Sequence, residues 1–89
     1  MKHQYLEVTF RCGEALAAYL YLSRSAHAKA ARTSDEGNGL RVDYDASGTP
    51  IGVEITAPGA VTVTELNAVL VRLGVPPISQ DEWAPLRAA

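Results

Sequence analysis

The chain has little of what most catalytic and metal-binding proteins use. Its 89 residues include one cysteine, Cys12, and two histidines, His3 and His27, which are far apart in sequence. A zinc site needs three or four ligands within reach of one ion, and Cys12 has no histidine or cysteine at ligand spacing. A single cysteine cannot form an internal disulfide, so we expect a reducing, cytoplasmic environment. We interpret both histidines as surface residues and Cys12 as a small, half-buried thiol.

Nucleophilic catalysis is not indicated either. The one pairing available for a thiol and its general base is Cys12 with His27, and nothing in the sequence places these two side chains together. Gly13 and Glu14, which follow the cysteine, are typical turn residues. We therefore predict no catalytic residues, no enzymatic activity and no cofactor.

The sequence also lacks a surplus of positive charge and a long apolar run. Eight basic residues stand against ten acidic ones, for a net charge of −2. Non-specific binding to nucleic acid or to an anionic membrane needs an excess of Lys and Arg. No run approaches the roughly 20 apolar residues that span a bilayer, and the N-terminal segment lacks the apolar stretch of a signal peptide. We expect neither a nucleic-acid partner nor a membrane partner.

The composition is that of an ordinary globular domain, with 47% apolar and 20% charged residues. A chain of this length can bury one modest core. No linker, repeat or low-complexity segment divides it. We expect a single domain over residues 1–89, with a β-meander over about residues 5–56 and a helical part over about residues 62–88.

Strand-like alternation dominates the first two-thirds of the sequence. Polar and apolar residues alternate in YLEVTF, GLRVDYD and IGVEI, while AAYLYLS is apolar on both sides and suits a central or doubly covered strand. Residues 27–34 are ambiguous, because their alanines suit a helix, but the short span and the glycines at 37–39 favour a third strand. Turns are predicted at residues 11–14 and 46–48, where Gly48 provides the positive φ of a type I turn with a bulge.

The stretch DYDASGTPIGVE supports two interpretations. Asp43, Asp45 and Glu54 match the spacing of a calcium-binding EF-hand loop, whose twelfth residue is a bidentate carboxylate. That motif needs flanking helices, whereas the flanking residues here alternate as strands do, so we favour a β-hairpin. In it Asp43 and Glu54 lie on the polar sheet face, Arg41 faces Glu54, and backbone N–H groups of the turn donate to Asp45. A weak cation site at Asp43, Asp45 and Glu54 is the open alternative.

Helical spacing begins after residues 58–59. One apolar stripe recurs at i, i+3, i+4 and i+7, in Leu66, Val69, Leu70 and Leu73. Thr62 and Glu65 form a capping box at the start of this helix, and Gly74 is placed to end it at C′.

A second capping box, at Ser79 and Glu82, begins a helix that Pro85 limits to a turn or two. The stripe of the first helix must cover an apolar sheet face, since neither layer can bury its surface alone. The predicted fold is therefore α+β in two layers, an antiparallel β-meander of four to five strands packed on one face by a C-terminal α-helix.

Tyr5, Tyr19, Tyr21 and Tyr44 could form an aromatic patch and are the candidates for a binding surface. Tyr19 and Tyr21 share one face of their strand, and Tyr44 lies on the apolar face of its own. Core packing is the first interpretation and a partner-binding surface the second. Together with Arg41 on the polar hairpin face, Tyr19, Tyr21 and Tyr44 are the predicted interaction residues.

Three segments carry a family resemblance. They are AYLYL at residues 18–22, ART at residues 31–33 and, above all, LRVDYDASGTPIGVEI at residues 40–55. The last is similar to a D-Y-D-x-x-G turn followed by a G-[IV]-E-I strand, the signature of the small bacterial proteins of domain-of-unknown-function family 2283. The chain resembles that family over about residues 5–58, and residues 62–73 with the tail resemble an extension found in longer relatives.

The family's usual acidic-and-alanine run before the tyrosine strand is reduced here to EALA at residues 14–17. The resemblance implies no enzymatic activity and no catalytic residues. Some relatives look like partners of small toxin-like proteins, so it also implies an antitoxin-like role.

Two functions are therefore expected. The first is a protein-interaction module, self-associating or bound to a protein such as a toxin, because a small two-layer domain has exposed sheet edges available for pairing. The alternative is a small-ligand or cation-binding domain that uses the polar hairpin face of Arg41, Asp43, Asp45 and Glu54.

Overall fold

A computed structural model describes residues 4–22 and 29–87 of the chain. The elements follow in the order β1 (Tyr5–Arg11), β2 (Glu14–Tyr21), β3 (Arg32–Gly37), β4 (Leu40–Tyr44), β5 (Pro50–Ile55), a 3₁₀ turn (Pro58–Ala60), α1 (Val63–Arg72) and α2 (Gln80–Arg87). All five strands belong to one antiparallel sheet. The predicted α+β fold, an antiparallel sheet with C-terminal helix, is confirmed.

The strand order across the sheet is β1-β2-β5-β4-β3. Neighbours in sequence are neighbours in the sheet within β1–β2 and within β3–β5, as in a meander, but β2 pairs with β5 rather than with β3. The connection after β2 therefore leads to the far edge of the sheet. This order places the apolar strands β2 and β5 in the interior and leaves the polar strand β3, RTSDEG, at an edge.

β3 lies later in the sequence than predicted. The predicted strand over residues 27–34 overlaps it only at Arg32–Ser34, and residues 23–28 lie outside the described part of the chain. Asn38 and Gly39 have φ of 53° and 76°, so they form the two-residue turn that binds β3 to β4. Such an Asn-Gly turn matches the twist of the flanking strands. It therefore stabilises β3, although the composition of that strand is poor in strand-forming residues.

The turn between β1 and β2 is another two-residue turn, made by Cys12 and Gly13 with φ of 54° and 81°. The turn at residues 11–14 is thus confirmed, but the thiol of Cys12 is exposed and the prediction of a half-buried thiol is wrong. A residue at the tip of a two-residue hairpin has no neighbouring layer to cover it. His3 and His27 lie outside the described residues.

The hairpin of β4 and β5 has the predicted turn. The Gly48 N–H donates to the Asp45 carbonyl at 3.0 Å, the Asp45 N–H donates to the Thr49 carbonyl at 2.9 Å, and Gly48 has a φ of 88°. This is a type I turn followed by a glycine bulge. Strands flank it on both sides, so the residues that match an EF-hand loop form a hairpin here.

One core lies between the sheet and the helices. Val42, Val53 and Ile55 of the sheet and Leu66 and Leu70 of α1 are fully buried. The remaining members of the core come from β2, β4, α1, α2 and the segments beside the helices: Ala18, Leu20, Leu40, Val61, Val63, Val69, Ile78, Trp83 and Leu86. The predicted stripe on α1 does cover the sheet, with Leu73 packed at its margin.

Both ends of α1 are capped as the sequence predicts. The Glu65 N–H donates to Thr62 Oγ1 at 3.1 Å, and the Thr62 N–H donates to the Glu65 carboxylate at 2.9 Å. At the other end Gly74 has a φ of 76°, and the Val75 N–H donates to the Leu70 carbonyl at 2.9 Å. The second bond is characteristic of a Schellman motif, which satisfies carbonyls that the helix leaves open.

α2 begins at the second predicted capping box, in which the Glu82 N–H donates to Ser79 Oγ at 3.1 Å. It continues through Pro85 to Arg87, so its eight residues make slightly more than two turns. Asn67 of α1 holds the approach to it, since its amide group both donates to the Ile78 carbonyl and accepts from the Ile78 N–H. No helix in the described part of the chain is long and apolar enough to cross a membrane.

Candidate functional site

The sheet face opposite the helices carries polar and aromatic side chains from all five strands, and we call it the open face. Cross-strand pairing arranges these residues in two rows that run across the sheet. The first row is Tyr5, Tyr21, Gly52, Asp43 and Thr33. The second row is Glu7, Tyr19, Glu54, Arg41 and Asp35.

Three tyrosines form a cluster at the β1–β2 end of the open face. The rings of Tyr5 and Tyr21 are stacked, with centroids 4.5 Å apart and planes 18° apart. Tyr19 meets Tyr21 edge-on, with centroids 4.8 Å apart. Both geometries are favourable for aromatic pairs. Tyr5 is 51% exposed, so the cluster presents aromatic surface to solvent.

Tyr19 lies across the centre of the sheet, above Gly52. Its Oη donates to Asp43 Oδ2 at 2.8 Å, and a Cβ at position 52 would overlap its ring and hydroxyl. The absence of a side chain at Gly52 therefore makes room for the tyrosine. Burial of the hydroxyl raises the pKa of Tyr19, and the hydrogen bond to the Asp43 carboxylate raises it further. Tyr19 is consequently a neutral hydrogen-bond donor at physiological pH.

Carboxylates also accept hydrogen bonds from the hydroxyl groups of Tyr21 and Thr33. Tyr21 Oη donates to Glu7 Oε1 at 3.1 Å, and this hydrogen bond is the main reason that the pKa of Tyr21 is raised. Thr33 Oγ1 donates to Asp43 Oδ1 at 2.6 Å, so both oxygens of Asp43 accept hydrogen bonds. The rings are thus fixed by bonds that run between strands.

The charge of the open face is unbalanced. Four carboxylates, those of Glu7, Asp35, Asp43 and Glu54, stand in the two rows with one guanidinium, that of Arg41. A hollow of about 140 Å³ lies beside Tyr19, with Glu7 and Glu54 in its lining. Ala17 also lines it, and its small side chain leaves this space open beside Tyr19.

Tyr44 lies apart from the other predicted interaction residues. It is on the helix-facing side of β4, packed against the core, and the Arg32 guanidinium lies 4.0 Å from its ring centroid. The structure therefore brings Tyr19, Tyr21 and Arg41 together on the open face and places Tyr44 elsewhere.

Glu7 and Thr33 were not predicted as site residues, and Tyr5 was predicted only as a member of an aromatic patch. Tyr5 and Glu7 alternate with Leu6 and Val8 in β1, so the period of two identifies them as members of the polar face of that strand. What brings them beside Tyr21 and Tyr19 is the pairing register of β1 with β2, in which Leu16 of β2 forms a bulge opposite Thr9 and Phe10.

The side chain of Asp45, a member of the alternative cation site, accepts hydrogen bonds within the turn. Its Oδ1 accepts from the Ser47 N–H at 2.9 Å, from Ser47 Oγ at 2.7 Å and from the Thr49 N–H at 3.0 Å. The hydrogen bond from Ser47 is the main reason that the pKa of Asp45 is lowered. Within residues 4–22 and 29–87, no group of three or more acidic, histidine or cysteine side chains is placed to hold a metal ion.

A larger groove, of about 640 Å³, lies where the 3₁₀ turn, the start of α1 and α2 meet. Trp83 and Leu86 form part of its apolar lining, and Thr62, Thr64 and Gln80 part of its polar lining. Glu14 is the one ionisable side chain among its described lining residues.

Comparisons of the chain with models of protein families, with curated proteins and with solved structures found no match. The family resemblance stays a prediction from the residues that carry it.

Proposed function

We propose that the domain is a non-enzymatic protein-interaction module that binds its partner through the open face. The observation that carries the proposal is the cluster of three tyrosine rings, held in fixed contact on the open face of the sheet. Tyrosine is enriched at the energetic centres of interfaces, because its ring offers a large amphipathic surface at a small cost in side-chain entropy.

The fixed geometry of the cluster favours binding. Tyr19 and Tyr21 are held by hydrogen bonds to Asp43 and Glu7, so their rotamers are already restricted in the free protein. Ordering side chains on association costs about 0.5–1.5 kcal/mol for each one that is mobile beforehand. A surface that is ordered before binding avoids most of that cost.

The charge of the open face favours a partner with exposed arginines. The four carboxylates outnumber the two guanidinium groups of this face, those of Arg41 and of Arg11 at the end of β1, so the face is acidic. A guanidinium can stack on a tyrosine ring while it donates two hydrogen bonds to a carboxylate. The hollow between Glu7 and Glu54, next to Tyr19, provides both kinds of group. An antitoxin-like role, implied by the family resemblance, belongs to this proposal, with a small basic toxin as the partner.

The test is purification of the tagged protein from its native host, with a matched pair of surface variants. Tyr21→Ser removes the central ring of the cluster, and Val71→Ser alters a residue of α1 that is 63% exposed. We expect the wild type and Val71→Ser to retain one stoichiometric partner, which elutes when salt is raised. Tyr21→Ser should bind that partner about thirtyfold more weakly, as loss of an interfacial tyrosine does.

Thermal melts of both variants ensure that loss of binding is not loss of folding. Equal retention by Tyr21→Ser and the wild type would contradict the assignment of the open face. Elution of the partner that does not depend on salt would contradict its basic character.

A further inference from the structure

The two edges of the sheet are protected very differently. β3 has three charged residues and a glycine in six positions, features that discourage pairing with another strand. β1, YLEVTFR, has seven residues in regular alternation without proline or glycine. In the described part of the chain β1 pairs with β2 alone. Its outer backbone groups are therefore available to a further strand.

Exposed apolar side chains gather at the same edge. Among the described residues, the large apolar side chains with the highest exposed fraction are those of Tyr5 (51%), Phe10 (48%), Leu16 (46%) and Val71 (63%). Tyr5 and Phe10 belong to β1, and Leu16 lies in β2 at the bulge, where it has no partner in the ladder with β1. Exposed apolar residues concentrated along a strand whose outer side has no partner strand mark an interaction site.

We propose that β1 pairs with β1 of a second copy of this chain, antiparallel and centred on Val8, so that two five-stranded sheets become one sheet of ten strands. This pairing uses the outer edge of β1, and Tyr5 and Glu7 belong both to that edge and to the open face. Antiparallel pairing of two identical strands forms a two-fold interface, in which each contact occurs twice.

The register centred on Val8 is chemically self-complementary. It places Tyr5 opposite Arg11 of the second copy, which allows a cation–π contact. It places Leu6 opposite Phe10, so the apolar residues meet on the helix side of the sheet. Glu7 stands opposite Thr9 and has Arg11 of the second copy at the diagonal position.

Neighbouring registers are poorer. Centring on Glu7 places two carboxylates directly opposite each other, which is destabilising. Centring on Thr9 pairs only residues 7–11 with their counterparts. Centring on Val8 engages all seven residues of the strand.

The helix side of the edge has space for the aromatic ring that this register delivers. A hollow of about 230 Å³ lies beside β1, with Leu6, Leu20 and Ile78 in its apolar lining. Phe10 of the second copy would lie opposite Leu6, at the mouth of this hollow. A half-exposed ring on each copy is thus matched by an apolar hollow on the other.

The test uses charge at Thr9, which is exposed and faces Glu7 in the proposed register. Sedimentation equilibrium of the full chain should show a dimer of the wild type. Thr9→Glu places a carboxylate opposite Glu7 at two symmetric positions and should raise the dimer dissociation constant by about tenfold or more. Thr9→Lys places an ammonium group there and should lower it by about threefold. Thr9→Gln, the neutral control, should stay within about twofold of the wild type.

A wild type that is monomeric over the whole concentration range would overturn the proposal. So would a dimer that Thr9→Glu leaves intact. If Thr9→Lys weakens the dimer as Thr9→Glu does, the register centred on Val8 is wrong. A monomer that captures another protein through Thr9 would assign the edge to a foreign strand and also overturn pairing between copies. Coincident melting curves of the three variants serve as the folding control.

Discussion

At Gly52 the sheet has no side chain, and Tyr19 of the neighbouring strand uses that space to reach Asp43. A glycine inside a strand is normally unfavourable, because it has no side chain to pack and its flexible backbone loses more conformational entropy on folding. An aromatic ring that covers such a glycine from the next strand compensates for the missing side chain. The pair therefore joins three strands, β2, β5 and β4, at one point of the open face.

Substitution of Gly52 by alanine should uncouple this contact. The Tyr19 ring must move away from the new Cβ, and it then gives up its hydrogen bond to Asp43 and its edge contact with Tyr21. Each of these is worth about 1 kcal/mol, so we expect Gly52→Ala to lower the free energy of unfolding by about 2 kcal/mol. Denaturant melts measure this value.

Gly59→Ala is the matched control, because a Cβ at that position meets no atom within 4 Å. It should change the free energy of unfolding by less than about 0.5 kcal/mol. Equal effects of the two substitutions would mean that Tyr19 does not depend on the space at Gly52.

Asp45 illustrates how a turn residue makes stability depend on pH. Its pKa is lowered in the folded protein, chiefly by the hydrogen bond from Ser47, so folding favours the ionised form. The stabilisation is complete above the pKa of the unfolded chain and is lost as the pH falls through the lower, folded pKa.

We therefore expect the wild type to be more stable than Asp45→Asn at neutral pH and the difference to shrink as the solution is acidified. Urea melts of both proteins between about pH 2 and pH 6 measure it. A difference that is constant over this range would show that ionisation of Asp45 does not stabilise the turn.

At the scale of elements, α1 is specified by its own sequence to an unusual degree. Its capping box, apolar stripe and C′ glycine are all local features, and each forms as predicted. Contacts with the β3–β4 hairpin then fix its position, through the ion pair of Arg72 with Glu36 and the hydrogen bond from Asn38 to Glu65. Glu36 and Asn38 are distant in sequence from the helix residues that they contact, so no local sequence pattern predicts these two contacts.

Leu70 tests the packing of this helix. Its side chain is fully buried on the face of α1 that packs against the sheet, so Leu70→Ala removes apolar contacts and leaves a cavity. We expect the free energy of unfolding to fall by about 2–5 kcal/mol. The adjacent Val71 is 63% exposed, and Val71→Ala should have an effect below about 0.5 kcal/mol. A neutral Leu70→Ala in denaturant melts would contradict the placement of α1 against the sheet.

The pairing register of the β1–β2 hairpin does not follow from its turn alone. Counting outward from its two-residue turn pairs Thr9 with Leu16, whereas the structure pairs Thr9 with Ala17. The difference is a bulge of one residue in β2. Since side chains alternate with a period of two, that single residue decides which faces meet, and it is what brings Tyr5 beside Tyr21.

At the scale of the whole molecule, sheet and helices share one core. Trp83 of α2, the only tryptophan of the chain, is 2% exposed within the same cluster as Val53 and Leu66. A small domain with a single core unfolds cooperatively.

The fluorescence of Trp83 and the far-ultraviolet circular dichroism should therefore change together in a denaturant titration. We expect superimposable transitions with a single midpoint. A fluorescence transition at distinctly lower denaturant would mean that α2 detaches from the core before the sheet unfolds.

Local features of this protein were determined by the sequence alone. The turns at residues 11–14 and 46–48, the capping boxes at Thr62 and Ser79, and the C′ glycine at Gly74 depend on side chains a few residues apart, and all are present. Alternation likewise identified the apolar faces of β4 and β5 before any partner was known.

Only the tertiary structure decided which strands meet. The pairing of β2 with β5, the bulge opposite β1 and the two rows of the open face all join residues that are distant in sequence. Tyr44 was separated from Tyr19 and Tyr21 in the same way, because strand order and register assign each face to the core or to solvent. The contacts that select such an arrangement form between elements, so the pattern within any one element does not contain them.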